Sequence, residues 1–104
     1  MAGRKRKEET DPKPSVELER SIGSNLRRLR KQHGYSQEAL AERAEVHRTE
    51  VGLVERGERD PGSNMITKLA GALGVDPGEL LAGAAFVPSD DGREAHFIYE
   101  VPKP

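Results

Sequence analysis

The side chains of this 104-residue chain that could do chemistry are mostly charged, and few of them suit catalysis or metal binding. There is no cysteine, and the histidines, His33, His47 and His96, are too scattered in the sequence to suggest a metal site. No serine–histidine pair or phosphate-loop motif is present, and the carboxylates fall on predicted helix surfaces and loops. We therefore expect no enzyme activity, no cofactor and no bound metal.

Positive charge is concentrated in the first third of the chain. The chain has 17 Lys and Arg residues and 18 Asp and Glu residues, which give a formal net charge of −1 at pH 7. The densest basic cluster, Arg4-Lys5-Arg6-Lys7, lies in a polar tail, residues 1–14, that we expect to be disordered. This cluster is either an arm that lies on phosphates or in a minor groove, or a solvated tail. Because the local field matters more than the total charge, an anionic partner is not excluded.

Two short helices joined by a tight corner would position the polar side chains in the middle of the chain. Ser36 is a good N-cap for a helix over Gln37–Ala44, because its hydroxyl can accept a hydrogen bond from an amide of the first turn. Glu45–Val46 forms the corner. A second helix follows over Arg48–Arg56 and ends at Gly57. The residues on the inward faces, at helical spacing, are Leu40, Ala41, Ala44, Val51 and Val54.

Flanking helices must supply the core that this pair cannot form alone. A first helix is predicted over Ser15–His33, in which Gly23 marks either close helix packing or a break, and a fourth over Ser63–Leu73. Asp76 as an N-cap before Pro77 predicts a fifth, short helix. The apolar positions of this scaffold are Val16, Leu18, Ile22, Leu26, Leu29, Ile66, Leu69, Ala70, Leu73, Val75, Leu80 and Leu81. The sequence thus predicts an all-α fold, a compact five-helix bundle over residues 15–83.

The C-terminal tail, residues 84–104, differs in composition from the bundle. Ala84–Val87 is apolar, Ser89–Gly92 is typical of a turn, and Ala95–Val101 has the aromatic and β-branched residues of a strand. We therefore expect a β-hairpin. Because an isolated two-stranded hairpin is marginally stable in water, it would pack on the bundle or pair with a second copy of the chain. A frayed tail is the remaining alternative.

An ordered set of residues between Ile22 and Leu81 resembles the phage-repressor (Cro and lambda-repressor-like, XRE-type) helix-turn-helix DNA-binding domain. The residues that carry the resemblance are Leu26, Arg27-Arg28-Leu29-Arg30, Gly34, Ser36-Gln37, Leu40-Ala41, Val51, Glu55-Arg56-Gly57, Pro61, Leu69-Ala70 and Leu73-Gly74-Val75. The resemblance covers a little over half of the chain. It implies that the second helix of the pair enters the major groove of DNA while the first crosses the backbone.

The resemblance also implies roles for individual residues. Arg48 opens the reading helix, and its guanidinium fork matches O6 and N7 of guanine. The implied base-reading residues are Arg48, Thr49, Gly52 and Leu53. The implied phosphate-binding residues are Ser36, Gln37 and Arg59. The basic composition of the tail, and not the resemblance, adds Arg4, Lys5, Arg6 and Lys7 as an arm on phosphates. Arg30 and Glu55 are the implied structural salt bridge.

Two features depart from the family's pattern. His47 stands at the N-cap position of the reading helix, where serine or threonine is usual and histidine caps poorly. We expect Glu50 to compensate by reaching back to the free amides of the first turn. The loop after the helix pair is often basic in the family, but here Glu58 and Asp60 flank Arg59.

Together these features predict a sequence-specific DNA-binding transcriptional regulator, for which repression is the commonest outcome in the family. It would bind double-stranded DNA as a homodimer on a two-fold operator, with half-sites about one helical turn apart. A bacterial-type cytoplasm is expected, and no stretch approaches the ~20 apolar residues of a membrane span. The alternative is a protein-interaction module or antitoxin-like partner protein with the same fold, bound through its C-terminal tail. The net acidity and the residues Leu53, Glu50, Glu58 and Asp60 favour this alternative.

Overall fold

The computed structural model describes residues 14–90 and 92–99, and these form four α-helices, one 3-10 helix and a two-stranded sheet. The helices are α1 (Pro14–Gln32), α2 (Gln37–Ala44), α3 (Arg48–Glu55), α4 (Ser63–Leu73) and the 3-10 helix (Pro77–Leu81), followed by β1 (Ala85–Val87) and β2 (His96–Ile98). The basic tail expected to be disordered lies outside the described residues, except for Pro14, with which α1 begins. None of the described helices is long and apolar enough to cross a membrane.

The predicted bounds of α2 and α4 are confirmed, and those of α1 and α3 differ by one residue. The expected fifth α-helix is instead a 3-10 helix of five residues. Its first two residues are Pro77 and Gly78, both poor helix formers, and the chain leaves the helical conformation at Ala82. Asp76 occupies the N-cap position, but its side chain makes no capping hydrogen bond. Instead the Glu79 amide donates to the Asp76 carbonyl oxygen at 2.9 Å.

The apolar core lies between α1 and the three following helices. α1 packs against α3 and the 3-10 helix, while α2 packs against α3 and α4. α3 is therefore held from two sides. The largest apolar side chains that are fully buried in this core are Leu26, Leu40, Leu69, Leu80, Val51 and Val54.

Gly23 allows α1 and α3 to approach closely. A Cβ at Gly23 would lie 2.6 Å from the carbonyl oxygen of Glu55 and closer still to that of Val54. α1 continues without interruption through this position. Gly23 therefore marks close helix packing and not a break in the helix.

The corner between α2 and α3 is made by Glu45, as predicted, in the left-handed conformation (φ 59°, ψ 44°). The Glu45 amide donates to the Glu42 carbonyl oxygen at 3.2 Å, and the Val46 amide donates to the Ala41 carbonyl oxygen at 3.0 Å. These bonds satisfy carbonyl groups that the end of α2 leaves free. A residue other than glycine in this conformation costs on the order of 1 kcal/mol.

Asn25 connects α1 to the end of the bundle. Its side chain is fully buried, and its Nδ2 donates to the carbonyl oxygens of Leu80 at 2.9 Å and Ala82 at 3.1 Å. These bonds satisfy carbonyls at the end of the 3-10 helix and fix where the chain leaves the bundle. The apolar pattern of the sequence gave no sign of this polar residue in the core.

The expected hairpin is present, with strands of three residues each. Phe86 pairs with Phe97 at the centre of the antiparallel register, and their rings meet edge to face with centroids 5.2 Å apart. An isolated antiparallel β-bridge between the backbones of Asp90 and Arg93 closes the turn. β2 lies beside α1. The strands are shorter than the composition indicated, and the end of the expected second strand, from Glu100, lies outside the described residues.

Candidate nucleic-acid interface

A buried ion pair fixes α3 to α1. Arg30 donates from Nε and Nη2 to the two carboxylate oxygens of Glu55, with 3.0 Å between Nη2 and Oε1. The two side chains are 10% and 2% exposed. Arg30 also donates from Nη1 to the Tyr35 carbonyl oxygen at 2.9 Å, so the guanidinium holds the segment before α2 as well. A two-pronged bond of this kind fixes orientation in addition to distance.

Gln37 adds a further donor to the same carboxylate. Its Nε2 donates to Glu55 Oε1 at 3.0 Å, which ties the first residue of α2 to the last residue of α3. The Gln37 side chain lies over Gly52, where a Cβ would be 3.3 Å from Gln37 Oε1 and 3.1 Å from Arg56 Nη1. Gly52 is buried at this point. Its lack of a side chain makes room for the Gln37 amide.

His47 caps the N-terminus of α3, contrary to the expectation that histidine would cap poorly. Its backbone is extended (φ −63°, ψ 143°), and its Nδ1 accepts from the Thr49 amide at 3.2 Å. The Thr49 hydroxyl lies 2.9 Å from the same nitrogen. A ring nitrogen of His47 therefore accepts the hydrogen bond that a serine hydroxyl accepts at other helix N-caps.

Within α3, the exposed part is the start of the helix. Arg48 and Thr49 are exposed, and Leu53, one turn further, is half-buried. Within residues 14–90 and 92–99, the Arg48 guanidinium forms no ion pair or side-chain hydrogen bond. A long cation on the first turn of a rigidly held helix is thus free to meet a ligand.

Glu50 pairs with Arg59 and does not cap α3, so the expected compensation for His47 is wrong. Its Oε2 lies 3.4 Å from Arg59 Nη2, and its side chain is 19% exposed. Its Oε1 is buried without a hydrogen-bond partner. Because His47 already satisfies the Thr49 amide, the carboxylate is available to the loop that follows α3.

The remaining expected phosphate-binding residues in the described part of the chain are Ser36, at the start of α2, and Arg59, after α3. Ser36 is exposed and caps α2, where its Oγ accepts from the Ala39 amide at 3.0 Å. Arg59 lies in the loop after α3, with half of its side chain exposed. The cluster Arg4-Lys5-Arg6-Lys7 lies outside the described residues. Among the described residues, no group of histidines and carboxylates is placed to hold a metal ion.

Arg56 is a further exposed cation beside Gly52, and the sequence did not predict it as a site residue. It is exposed at the C-cap of α3, with Nη1 near Gly52 and Nε 3.3 Å from Glu58 Oε1. Its spacing of four residues from Gly52 was the signal in the sequence, because residues four apart share one face of a helix. The surface around Gly52 therefore carries both the Gln37 amide and a guanidinium.

A model of the HTH_3 family, described as Helix-turn-helix, matches residues 26–80, which is more than half of the chain. The chain belongs to this helix-turn-helix family. The matched segment contains α2, α3 and α4 and ends at Leu80. The hairpin of this helix-turn-helix protein lies beyond it.

The helix-turn-helix protein is similar to restriction-modification controller proteins. It is 40% identical over 61 residues to the control protein C.BamHI of Bacillus amyloliquefaciens, which covers 58% of this chain and 75% of that protein. The crystal structure of the restriction-modification controller protein C.AhdI from Aeromonas hydrophila matches with a TM-score of 0.58 and 45% identity, over 60% of this chain and 94% of that chain. The HTH-type transcriptional regulator y4dJ of Sinorhizobium fredii is 35% identical over 66 residues, covering 64% of this chain and 86% of that protein.

Proposed function

We propose that this helix-turn-helix protein, a DNA-binding transcriptional regulator of the XRE type, binds a two-fold operator as a homodimer and reads it with the start of α3. The observation that carries the proposal is the contrast between the two ends of α3. Its last residue, Glu55, is buried in a network with Arg30 and Gln37, while its first residue, Arg48, is exposed and unpaired within the described residues. A rigid helix with an exposed cationic start suits insertion into the major groove.

Base reading is assigned to the side chains that α3 exposes. Arg48 would donate two hydrogen bonds to O6 and N7 of guanine, and Thr49 would contact a base edge or a thymine methyl. Leu53 would contact a thymine methyl. Gly52 would act indirectly, because its burial beneath Gln37 removes it from the surface and keeps that amide in place.

Phosphate binding is assigned to residues around α3. The first backbone amides of α2 have no hydrogen-bond partner within the helix, so the start of α2 at Ser36 and Gln37 carries a partial positive charge. The DNA backbone would pass at this point. Arg59 would neutralise the carboxylate of Glu50, its partner at 3.4 Å, and would also contact a DNA phosphate. Arg56 would add a cation at the other end of α3. The basic cluster of residues 4–7 would act as an arm on the DNA.

We further propose a controller role in a restriction-modification system. The support is the similarity to C.BamHI and C.AhdI, which this chain matches over 75% and 94% of their lengths. In this proposal residues 15–83 form the DNA-binding domain, residues 1–14 the basic arm and residues 84–104 an additional C-terminal module. The protein would act in a bacterial cytoplasm, and repression is the expected sign of regulation.

The test is the affinity of full-length protein for an operator duplex, measured by fluorescence anisotropy at several salt concentrations. Arg48→Glu should lower the affinity about 100-fold, because it removes a bidentate contact worth ~1–3 kcal/mol and adds a negative charge beside phosphates. The control is Lys68→Glu, which makes the same charge change on an exposed residue of α4 beside Arg43 and Glu45, at the far end of α2 from Ser36.

Lys68→Glu should leave the affinity unchanged within about threefold. Equal binding by the two variants would contradict the assignment of α3 as the reading helix. If the unmodified protein binds every duplex no better than random DNA at low salt, the interaction-module alternative replaces the proposal.

A further inference from the structure

The exposed apolar surface of this protein is concentrated in one part of the chain. Among the described residues, the large hydrophobic side chains that are exposed are Leu81 (39%), Phe86 (55%), Ile98 (46%) and Tyr99 (36%). All four lie at or beyond the end of the segment that matches the family. Leu81 is the last residue of the 3-10 helix, and the other three exposed side chains belong to the hairpin region.

The hairpin is too small to be stable as an isolated unit. Its sheet has three residue pairs, and a two-stranded sheet of this size is marginal in water. β2 lies beside α1, and the edge of β1 that faces away from β2 pairs with no other described strand. Phe86, at the centre of β1, is more than half exposed, although its ring already contacts Phe97. Such an edge with a central exposed aromatic residue is suited to a further strand.

We propose that β1 pairs antiparallel with β1 of a second copy of this chain, about a two-fold axis at Phe86. This inference rests on the proposed function, which already requires two copies on a two-fold operator. Antiparallel pairing about the central residue places Phe86 opposite the partner's Phe86 and Ala85 opposite the partner's Val87. The product is a four-stranded sheet with the order β2, β1, β1 and β2.

The aromatic residues of the hairpin favour this register. Phe86 and Phe97 lie directly opposite each other, so their rings share one face of the sheet. Pairing at Phe86 continues this row across the axis and gives four adjacent rings, two from each chain. The same geometry serves both chains equally, as a two-fold interface requires.

The exposed apolar area of these side chains suits a weak interface between two copies of the chain that DNA also holds together. The exposed parts of the four large side chains amount to roughly 300 Å² per chain. Only part of this area can meet a second copy, because Ile98, opposite Ala85 in the register, lies on the other face of the sheet from Phe86. A stable standard interface buries about 800 Å² per partner. The hairpin alone would thus give a weak dimer, and two neighbouring half-sites would strengthen it by raising the effective concentration of the second copy. Asp90 and Glu94 outnumber Arg93 among the exposed charged residues of the described hairpin, which does not favour a position on the DNA itself.

The experiment is sedimentation velocity of the full-length protein over a range of concentrations. The unmodified protein should shift from monomer to dimer as its concentration rises. Phe86→Glu should weaken dimerisation roughly tenfold or more, because it places two like charges at the axis. Lys68→Glu, the control, should dimerise like the unmodified protein. Circular dichroism should show unchanged helix content in both variants, because Phe86 lies outside the buried core.

The absence of cysteine from the chain allows a direct test of the register. Phe86→Cys should form a covalent dimer under mild oxidation, because opposite residues of antiparallel strands have Cα atoms about 4.5–5.5 Å apart, within the range of a disulfide. Lys68→Cys should not. Equal cross-linking of the two variants, or dimerisation of Phe86→Glu equal to that of the unmodified protein, would overturn the proposal. An unmodified protein that stays monomeric both free and on DNA would also overturn it.

Binding to a duplex with a single half-site separates this inference from the proposed function. Phe86→Glu should bind a single half-site like the unmodified protein and lose about tenfold affinity on the two-fold operator only. If the unmodified protein binds no duplex, the DNA-binding function is refuted. Unchanged binding of Phe86→Glu to the two-fold operator would refute only the hairpin interface.

Discussion

Gln37, the first residue of α2, donates a hydrogen bond of 3.0 Å to Glu55, the last residue of α3. The same carboxylate accepts two bonds from Arg30 on α1. One side chain thus joins three helices, and it does so at the end of α3 opposite to the exposed Arg48. The orientation of the reading helix depends on this buried carboxylate.

Glu55→Ala should destabilise the protein by about 3 kcal/mol, because it leaves the Arg30 guanidinium buried without a counter-charge. The measurement is urea denaturation followed by circular dichroism. Glu58→Ala is the matched control, since Glu58 pairs with Arg56 where both side chains are more than half exposed. That variant should lose about 0.5 kcal/mol or less. Equal losses for the two variants would contradict the structural role of the buried pair.

Gly23→Ala should destabilise the protein by about 2 kcal/mol, although alanine is the better helix former. The added Cβ would collide with the backbone carbonyl oxygens of Val54 and Glu55 and push α3 away from α1. Gly71→Ala, on the exposed side of α4 with no atom within 4 Å of the new Cβ, should instead stabilise by about 0.5–1 kcal/mol. Thermal denaturation of the two variants measures both effects. Stabilisation by Gly23→Ala would show that the helices are not in close contact.

Glu45→Gly should stabilise the protein by about 0.5 kcal/mol, because glycine adopts the left-handed conformation of the corner without steric cost. Glu42→Gly, three residues earlier in α2, should destabilise by about 1 kcal/mol, because glycine there is in a helix interior. The sign of the two changes in urea midpoint is the readout. A loss of stability in Glu45→Gly would argue against a left-handed residue at this corner.

Arg59→Ala should lower the affinity for the operator about tenfold, because it exposes the Glu50 carboxylate on α3 to the DNA phosphates without its cation. In a Glu50→Gln background the same change should lower the affinity threefold or less, because the carboxylate that Arg59 neutralises is already absent. Both fold-changes are expected to within about a factor of two. Anisotropy titrations of the four proteins measure this coupling. An equal loss in both backgrounds would assign Arg59 to direct phosphate contact alone.

Much of the bundle followed from local patterns. Ser36 and the apolar spacing of the next helix predicted α2 with its observed bounds. These features depend on residues a few positions apart, so the sequence displays them directly. The position of Arg30 against Glu55 was expected from the family resemblance and could not have been derived from spacing, since the two residues are 25 positions apart.

Most of the features that escaped prediction depend on contacts between distant segments. Asn25 is a buried polar residue because two carbonyls at the end of the 3-10 helix need its donors. Gln37 turns towards Glu55 because Gly52 leaves room for its amide. His47 caps α3 through a ring nitrogen, which residue preferences do not suggest. In each case the deciding partner lies on another element or in an unusual local geometry.

The central claim is that α3 reads the bases of a two-fold DNA site, and selection of bound duplexes from a random pool with the full-length protein tests it most directly. We predict enrichment of an inverted repeat whose half-sites are about one helical turn apart. A parallel selection with Arg48→Ala should lose the preference at one position of each half-site while leaving the spacing unchanged. A pool that remains random with the unmodified protein, or an Arg48→Ala selection identical to it, would contradict the claim.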